Sequence, residues 1–513
     1  MERTPGERLT DEQLRSALRN VIRHGIAGQA TVTLTGGVFL VGLAVNLGLS
    51  NTMIGFLAAI PPLMQFLQIP SVAVIDRYRA RKPICVYTAV FSRLPWLLVA
   101  LIPFAFPTEF RTTVLVWAIL ANAALAAVSN AAWNPWIRDL VPQEQLGSFF
   151  GRRMSLATAA ALVVSLVAGG YLDLWKRSAP DHEIYAYSVL YFAGFLTGLI
   201  AVRYLRMIPE PRTDHTERQG SVFKSLQGPF RDANFKKLLV FLGSWNFAAN
   251  LAAPFFTVYM LTRLGLAMST VVVLSVLSQL TNLFFYRVWG LYADRYSHKS
   301  ILRVSGPLFM GCILAWTFTT MPERHALSIP LLVVIHILMG ISTAGVMLGS
   351  NNIGLKLAPR GMATPYLAAS SLVNSVAAGI APIVGGRCVD FFVGHELSWT
   401  LRWTSPQGDY QFRTLDFQTW DFFFFLAFAL GLFSVYRLSS VRERGEVRGR
   451  VVVHDLVDTM RRRMGSLSTA GGLRRMIHFP YSLLRDKNSW RNGPSVGDSH
   501  LKDESSDGNL RPQ

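Results

Sequence analysis

Two arginines stand where arginine is expensive. Arg93 and Arg287 lie inside stretches that are otherwise apolar, and a guanidinium keeps its charge at any physiological pH. In a stretch destined for a bilayer, such a group must face a cavity, a counter-ion or water. Arg93 falls about ten residues into its stretch, roughly 15 Å deep at the rise of an α-helix. Arg287 falls about two turns before Asp294. The chemistry on offer is electrostatic capture of an anionic group on a solute. The competing use is internal pairing, for Arg287 with Asp294 on the same helix.

Other polar residues share these stretches. His336 can relay a proton, because a free imidazole titrates near neutrality, or it can hydrogen-bond within a core. Trp245, Asn246 and Asn250 precede Gln279 and Asn282, and together they offer an amide- and indole-lined pocket. Asn246 and Asn250 share a helical face. Gln65, Asn122 and Asn130 can face them from the first half of the chain. Interhelical amide hydrogen bonds are the alternative use of all these groups.

The absences narrow the chemistry. No Asp or Glu falls near the middle of any apolar stretch; Asp76, Asp139, Asp173, Asp294, Asp390 and Asp421 all sit near ends. Proton coupling through a mid-membrane carboxylate and strong recognition of cationic solutes are therefore disfavoured. Facilitated diffusion, anion exchange and histidine-linked coupling remain. Phosphate-cradling and hydrolase motifs are lacking, which argues against ATP-driven transport and against an enzyme. Cys85, Cys312 and Cys388 have no metal-ligand or disulfide spacing. No metal and no cofactor is expected.

These residues need helices to hold them. Of the 513 residues, 51% are hydrophobic and 16% charged, against about 25% charged in soluble domains. The apolar residues gather into runs of about 20, the length that crosses a bilayer core. Twelve are expected: 24–47, 51–75, 83–105, 112–137, 148–172 and 184–206, then 235–262, 268–293, 299–321, 327–352, 364–390 and 418–438. The fold class is therefore an all-α polytopic membrane protein. Residues 1–22 are too polar for a cleavable signal. Thr10, with Gln13 at the reciprocal position, can cap an amphipathic helix with Leu14, Leu18 and Ile22 on one face, lying on the membrane ahead of the first span.

The net charge is +19. In a soluble protein this would suggest nucleic acid; here Lys and Arg gather in the N-terminal tail and around the loops after even-numbered spans, as the positive-inside rule requires. Both termini are then cytoplasmic, and no nucleic-acid partner is expected. The expected organisation is an N-terminal segment 1–22, a six-helix bundle 23–206, a polar linker 207–234 and a second bundle 235–438. The second bundle carries an extracellular loop 391–417, in which SPQGD reads as a hairpin turn and the whole as a spacer. A basic tail 439–513 follows, suited to anionic lipids at the cytoplasmic face up to about Arg491.

The two bundles repeat one another. Asp76-Arg77-Tyr78 recurs as Asp294-Arg295-Tyr296, Asn134 and Pro142 as Asn351 and Pro359, Gly169-Gly170 as Gly385-Gly386, and Asp173 as Asp390. Four matches at an offset of 216 to 218 residues point to a duplication of six spans in parallel order, with a pathway along the axis between the halves.

The run SVAVIDRYRARKP (71–83) resembles the signature loop of the major facilitator superfamily, and GLYADRYSHKS (290–300) resembles its echo in the second half. WNPWIRDLVPQEQLGSFFGRR (133–153) is similar to the segment joining helices 4 and 5 of many bacterial members. The resemblance covers roughly residues 15–440. The first signature lacks the usual leading glycine, having Ser71 or Val72 there. The family implies twelve spans, alternating access, a cavity lined by spans 1, 2, 4, 5 and their repeats, a monomer, and the bacterial cytoplasmic membrane. Gating pairs are expected at the cytoplasmic ends, with Arg138, Arg152 and Arg153 around Asp76, and Lys356 and Arg360 around Asp294. The substrate expected is a small organic anion; a neutral sugar-like or amphipathic solute is the second reading, and a non-transporting receptor or scaffold of the same fold the third.

Overall fold

The computed structural model describes residues 10–78, 81–142, 145–210, 227–320, 325–359, 362–406, 408–447 and 449–465. Among them are 12 helices long and apolar enough to cross a membrane. In chain order, spans 1 to 6 are Asp11–Asn46, Asn51–Val72, Arg81–Ala100, Thr108–Leu140, Leu146–Ser178 and Pro180–Arg206. Spans 7 to 12 are Ala233–Thr262, Met268–Arg295, His298–Thr319, Ser328–Leu357, Ala363–Phe392 and Thr419–Ser439.

The Thr10–Gln13 capping box forms, but the helix it opens is not a separate surface element. It runs unbroken from Asp11 to Thr35. Ala17 and Val21 are buried in a cluster with Ile75, Val86, Ile137 and Leu205. Nothing between residues 10 and 35 breaks the helix, so its apolar face meets protein before it can meet lipid.

Three spans are interrupted, each at a residue type that accounts for it. Span 1 breaks at Gly36, and Gly37 follows with φ of +52°, a conformation open to glycine at little penalty. In span 2, Pro61 and Pro62 lack the N–H that an α-helix needs. A 3-10 turn follows at Gln65–Leu67, and Gln68–Tyr78 continues the helix. Span 3 stops at Phe91 and resumes at Leu94, one residue before Pro95. Arg93 occupies that gap.

Spans 1 to 6 pack as one bundle and spans 7 to 12 as another. Spans 2 and 11 and spans 5 and 8 carry the main contacts between the bundles. Both contacts end in a carboxylate clamp, and the two clamps are related by the sequence repeat. Asp390 of span 11 accepts from the backbone N–H groups of Asn51 (3.2 Å) and Thr52 (2.8 Å), and from Asn51 Nδ2 and Thr52 Oγ1. Asp173 of span 5 accepts from the N–H groups of Met268 and Ser269, both at 2.9 Å. Each aspartate caps the start of the partner bundle's helix, where four donors lack intrahelical acceptors and the helix dipole favours negative charge. Glycine lets the backbones meet at the first clamp: a Cβ on Gly386 would lie 2.3 Å from the Asn51 carbonyl oxygen.

Residues 396–418 follow span 11 at the same end of the bundle. Strands β1 (Glu396–Ser405) and β2 (Gly408–Gln418) pair antiparallel. A register shift after Trp399 keeps Leu397, Trp399, Leu401 and Trp403 opposite Phe417, Leu415, Phe412 and Tyr410. The expected loop is thus a regular hairpin longer than its turn signal suggested.

At the opposite end, which carries the basic loops, residues 439–447 strap the second bundle. The buried Glu443 carboxylate accepts from the N–H groups of His298 (3.3 Å) and Lys299 (2.7 Å) at the start of span 9, and pairs with Lys356 Nζ at 2.9 Å. The Lys299 ammonium, itself buried, donates to the Val441 carbonyl and pairs with Glu446. Gly449–Gly465 forms a further helix, which from Arg450 onward belongs to a separate compact unit.

Candidate functional site

The first bundle encloses a cavity of about 400 Å³, lined from spans 1 to 6. Arg93 reaches it because its helix is broken there. Pro95 has no N–H, and Trp96 donates to Arg93 rather than to Ser92. The Ser92 carbonyl is taken instead by Asn122 Nδ2 at 2.7 Å. Asn122 therefore lines the cavity while its amide N–H mends the break. The Arg93 chain lies across Gly198 of span 6, where a Cβ would stand 2.6 Å from Arg93 Cδ.

Arg153 enters the same cavity from span 5. It lies across Gly25 of span 1, where a Cβ would be 2.7 Å from its Nε. Its guanidinium stands 5.7 Å from the Trp133 ring centroid, a cation–π distance. His24 packs on the same indole: its ring centroid is 4.7 Å from that of Trp133, and its Nδ1 is 2.9 Å from the Ala201 carbonyl oxygen. Gln65, Asn130, Ser129 and Thr31 complete the polar lining, and Trp96, Ile119 and Leu40 the apolar wall. None of the lining residues is acidic.

A second cavity of about 330 Å³ lies against span 2 in the other bundle. Asn246, Ser350, Asn351, Ser370 and Asn374 line it, with Asn246 Nδ2 donating to Asn374 Oδ1 at 2.9 Å. Gln65 lines both cavities. Its position at the 3-10 turn after Pro61-Pro62 puts it on the seam between the bundles.

Gln65, Arg93, Asn122 and Asn130 are thus brought together, and Asn246 lies across the seam. The remaining expected site residues are elsewhere. Trp245 is buried against Phe241 and Phe309, because its side of span 7 faces the bundle interior. Asn250 donates to its own helix at the Asn246 carbonyl. Gln279 and Asn282 are outside both cavities, and Asn282 Nδ2 lies 3.5 Å from the Gly340 carbonyl in an interhelical contact. His336 is buried in the second bundle, with Nδ1 2.8 Å from the Leu332 carbonyl oxygen and its ring on Trp316. Arg287 is exposed on span 8, and no ion pair with Asp294 forms among the described residues.

The gating set is rearranged too. Arg153 lines the cavity. Lys356 pairs with Glu443, whose carboxylate the strap brings within reach, rather than with Asp294. Arg138, Arg152 and Asp294 are exposed. Asp76 lies in the Gln68–Tyr78 helix, and its side chain and Arg360 are outside what the structure describes. Arg81 pairs with Asp139 at 2.7 Å, joining spans 3 and 4 of one bundle.

His24 and Asn374 join the site although the sequence does not single them out. His24 stands at the edge of span 1, and only the continuous helix from Asp11 brings it against Trp133. Asn374 does carry a signal, being an amide in the middle of an apolar run.

The sequence from 26 to 382 matches the family model described as Major Facilitator Superfamily. No individually curated protein matches significantly. Among solved structures, the D-xylose-proton symporter is similar with a TM-score of 0.64 at 13% identity, covering 84% of this chain and 99% of that one. The nucleoside transporter NupG gives 0.60 at 12% identity, covering 83% and 98%. A bacterial homologue of the human lysosomal transporter Spinster, inward-facing and unoccupied, gives 0.57 at 12%, covering 85% and 100%. At these identities the likeness is one of fold. Together with the family match over most of the chain, it makes this protein a membrane transporter, not an enzyme, and a member of the Major Facilitator Superfamily.

Proposed function

We propose that the protein carries a small organic anion across the bacterial cytoplasmic membrane by alternating access, with Arg93 holding the anion. One observation carries the reading: the Arg93 guanidinium lines a cavity of solute size with no carboxylate in its wall. A partly buried cation without a counter-ion carries a desolvation penalty that an anionic solute relieves. The proposed orientation puts the basic loops and both termini in the cytoplasm. The clamps of Asp173 and Asp390 then close the outer side, and the conformation is inward-facing. The protein acts as a monomer, with anionic lipids at the cytoplasmic face.

A neutral solute is the second reading, supported by the amide cluster of Asn246, Asn351 and Asn374. Thermal unfolding of the purified protein against a solute panel separates the two, because a ligand of the folded state raises its melting point by mass action. Organic anions should stabilise the wild type and not Arg93→Ala, and the same solutes should then show flux in proteoliposomes. Equal stabilisation of both proteins by neutral solutes would remove Arg93 from the site and favour the amide cluster.

A further inference from the structure

The cavity of the first bundle holds two guanidinium groups. The Nε atoms of Arg93 and Arg153 are both sealed from solvent, and neither has a hydrogen-bond partner. Among the described residues neither arginine makes an ion pair. Buried donors of a charged group left unsatisfied are rare unless a ligand or ion completes them. Each arginine also lies across a glycine of a neighbouring span, Gly198 for Arg93 and Gly25 for Arg153, so both are seated in fixed beds.

The charge count decides what fits. A monoanion would neutralise one guanidinium and leave the other in the same cavity uncompensated, at a local dielectric below that of water. His24 adds no negative charge; with Nδ1–H donating to Ala201, its Nε2 is the remaining polar atom of the ring. We infer that the cavity takes a small organic dianion, one oxyanion group on Arg93 and the second on Arg153, with its carbon body against Trp96, Trp133 and Ile119. Dicarboxylates and doubly ionised phosphate monoesters share this chemistry, and planar guanidinium forks suit both. The inference rests on the anion reading above and sharpens it.

The test uses the full-length protein in detergent at pH 7.5 and measures thermal stabilisation as a function of solute concentration. Matched pairs supply the arms: succinate against butyrate, glutarate against valerate, and glycerol phosphate against glycerol. In the wild type succinate and glutarate should reach half-saturation at concentrations at least tenfold below those of monoanionic butyrate and valerate, and glycerol phosphate should stabilise where neutral glycerol does not. Arg153→Gln should lose that tenfold preference, because dianion binding falls by at least ten times more than monoanion binding, and Arg153→Lys should recover part of it. The dicarboxylate and phosphate arms identify which source is carried.

Equal binding of monoanions and dianions, unaffected by Arg153→Gln, would overturn the dianion inference and leave the anion reading standing. Equal loss of both classes in Arg153→Gln would make Arg153 a structural residue and overturn it as well. Binding of no anion by a folded wild type would sink both readings together. Arg153→Lys keeps the positive charge beside Trp133 and supplies the check if Arg153→Gln fails to fold.

Discussion

Replacing Asp390 by Ala should release the clamp between spans 11 and 2. The carboxylate holds four hydrogen bonds at the start of span 2, two from backbone N–H groups and two from side chains. A hydrogen bond to a charged group contributes about 1.5–3 kcal/mol, and an N-cap about 0.5–2 kcal/mol. The four share one carboxylate and one helix end, so they do not add. When the halves part, water replaces them. About 3 kcal/mol is a reasonable net figure for what favours the clamped state, a factor of about 140 in the open-to-clamped ratio at 1.4 kcal/mol per tenfold. Asp173, with two backbone bonds, should give about 1.5 kcal/mol, a factor of about 12. The assay is a spin-label distance distribution between Thr108→Cys and Val393→Cys, one in each bundle at the hairpin end, with Cys85, Cys312 and Cys388 replaced. Asp390→Ala should add a long-distance population, Asp173→Ala a smaller one, and Asp390→Asn an intermediate one, since an amide oxygen still accepts without charge. Unchanged distributions in both alanine variants would refute the argument that these caps hold the bundles together.

Gly198→Ala should displace the Arg93 chain, because its Cβ would stand 2.6 Å from Arg93 Cδ; we expect about tenfold weaker anion stabilisation with little loss of melting temperature, read by the same thermal titration. Asn122→Ala should leave the Ser92 carbonyl without its partner and destabilise by about 1–3 kcal/mol, seen as a lower melting point without ligand. Glu443→Ala should destabilise by about 2 kcal/mol, since it strands the N–H groups of His298 and Lys299 at the start of span 9 while the exposed Lys356 ammonium turns to water; a melting point equal to wild type would show that the strap does not hold. At Glu446 burial alone would raise the carboxyl pKa, but the hydrogen bond and charge of Lys299, with the charge of Arg303, take it below its ordinary 4.5. A carboxylate depressed in the folded state stabilises above its unfolded pKa, and that contribution is lost as the pH falls through the folded value. The melting-point gap between wild type and Glu446→Gln should therefore be constant from pH 6 to 8 and shrink below about pH 4.5.

The spans were legible in the sequence because a bilayer imposes a length and a composition on each of them separately. The repeat was legible for a related reason: aspartates and glycines in register mark places where one half must meet the other. Asp173 and Asp390 were visible as a repeated pair, but their use as caps on spans 8 and 2 depends on which helix start lies opposite, and that is a tertiary fact. Arg93 stood out because a charge in an apolar run has few uses. Arg153 did not, because near a helix end a guanidinium equally serves topology; the continuous first helix and Gly25 turn it into the cavity beside His24 and Trp133. His336, Trp245 and Gln279 had the right composition for a site and the wrong direction, since helical period alone does not say which face of a buried helix meets the axis. Lys356 was matched to the nearest acid in its repeat, whereas a strap from the distant segment 439–447 supplied Glu443 instead. What the sequence determined by itself was each residue's depth and the order of the spans; the packing of twelve helices decided direction, because only neighbours in space fix where a side chain points.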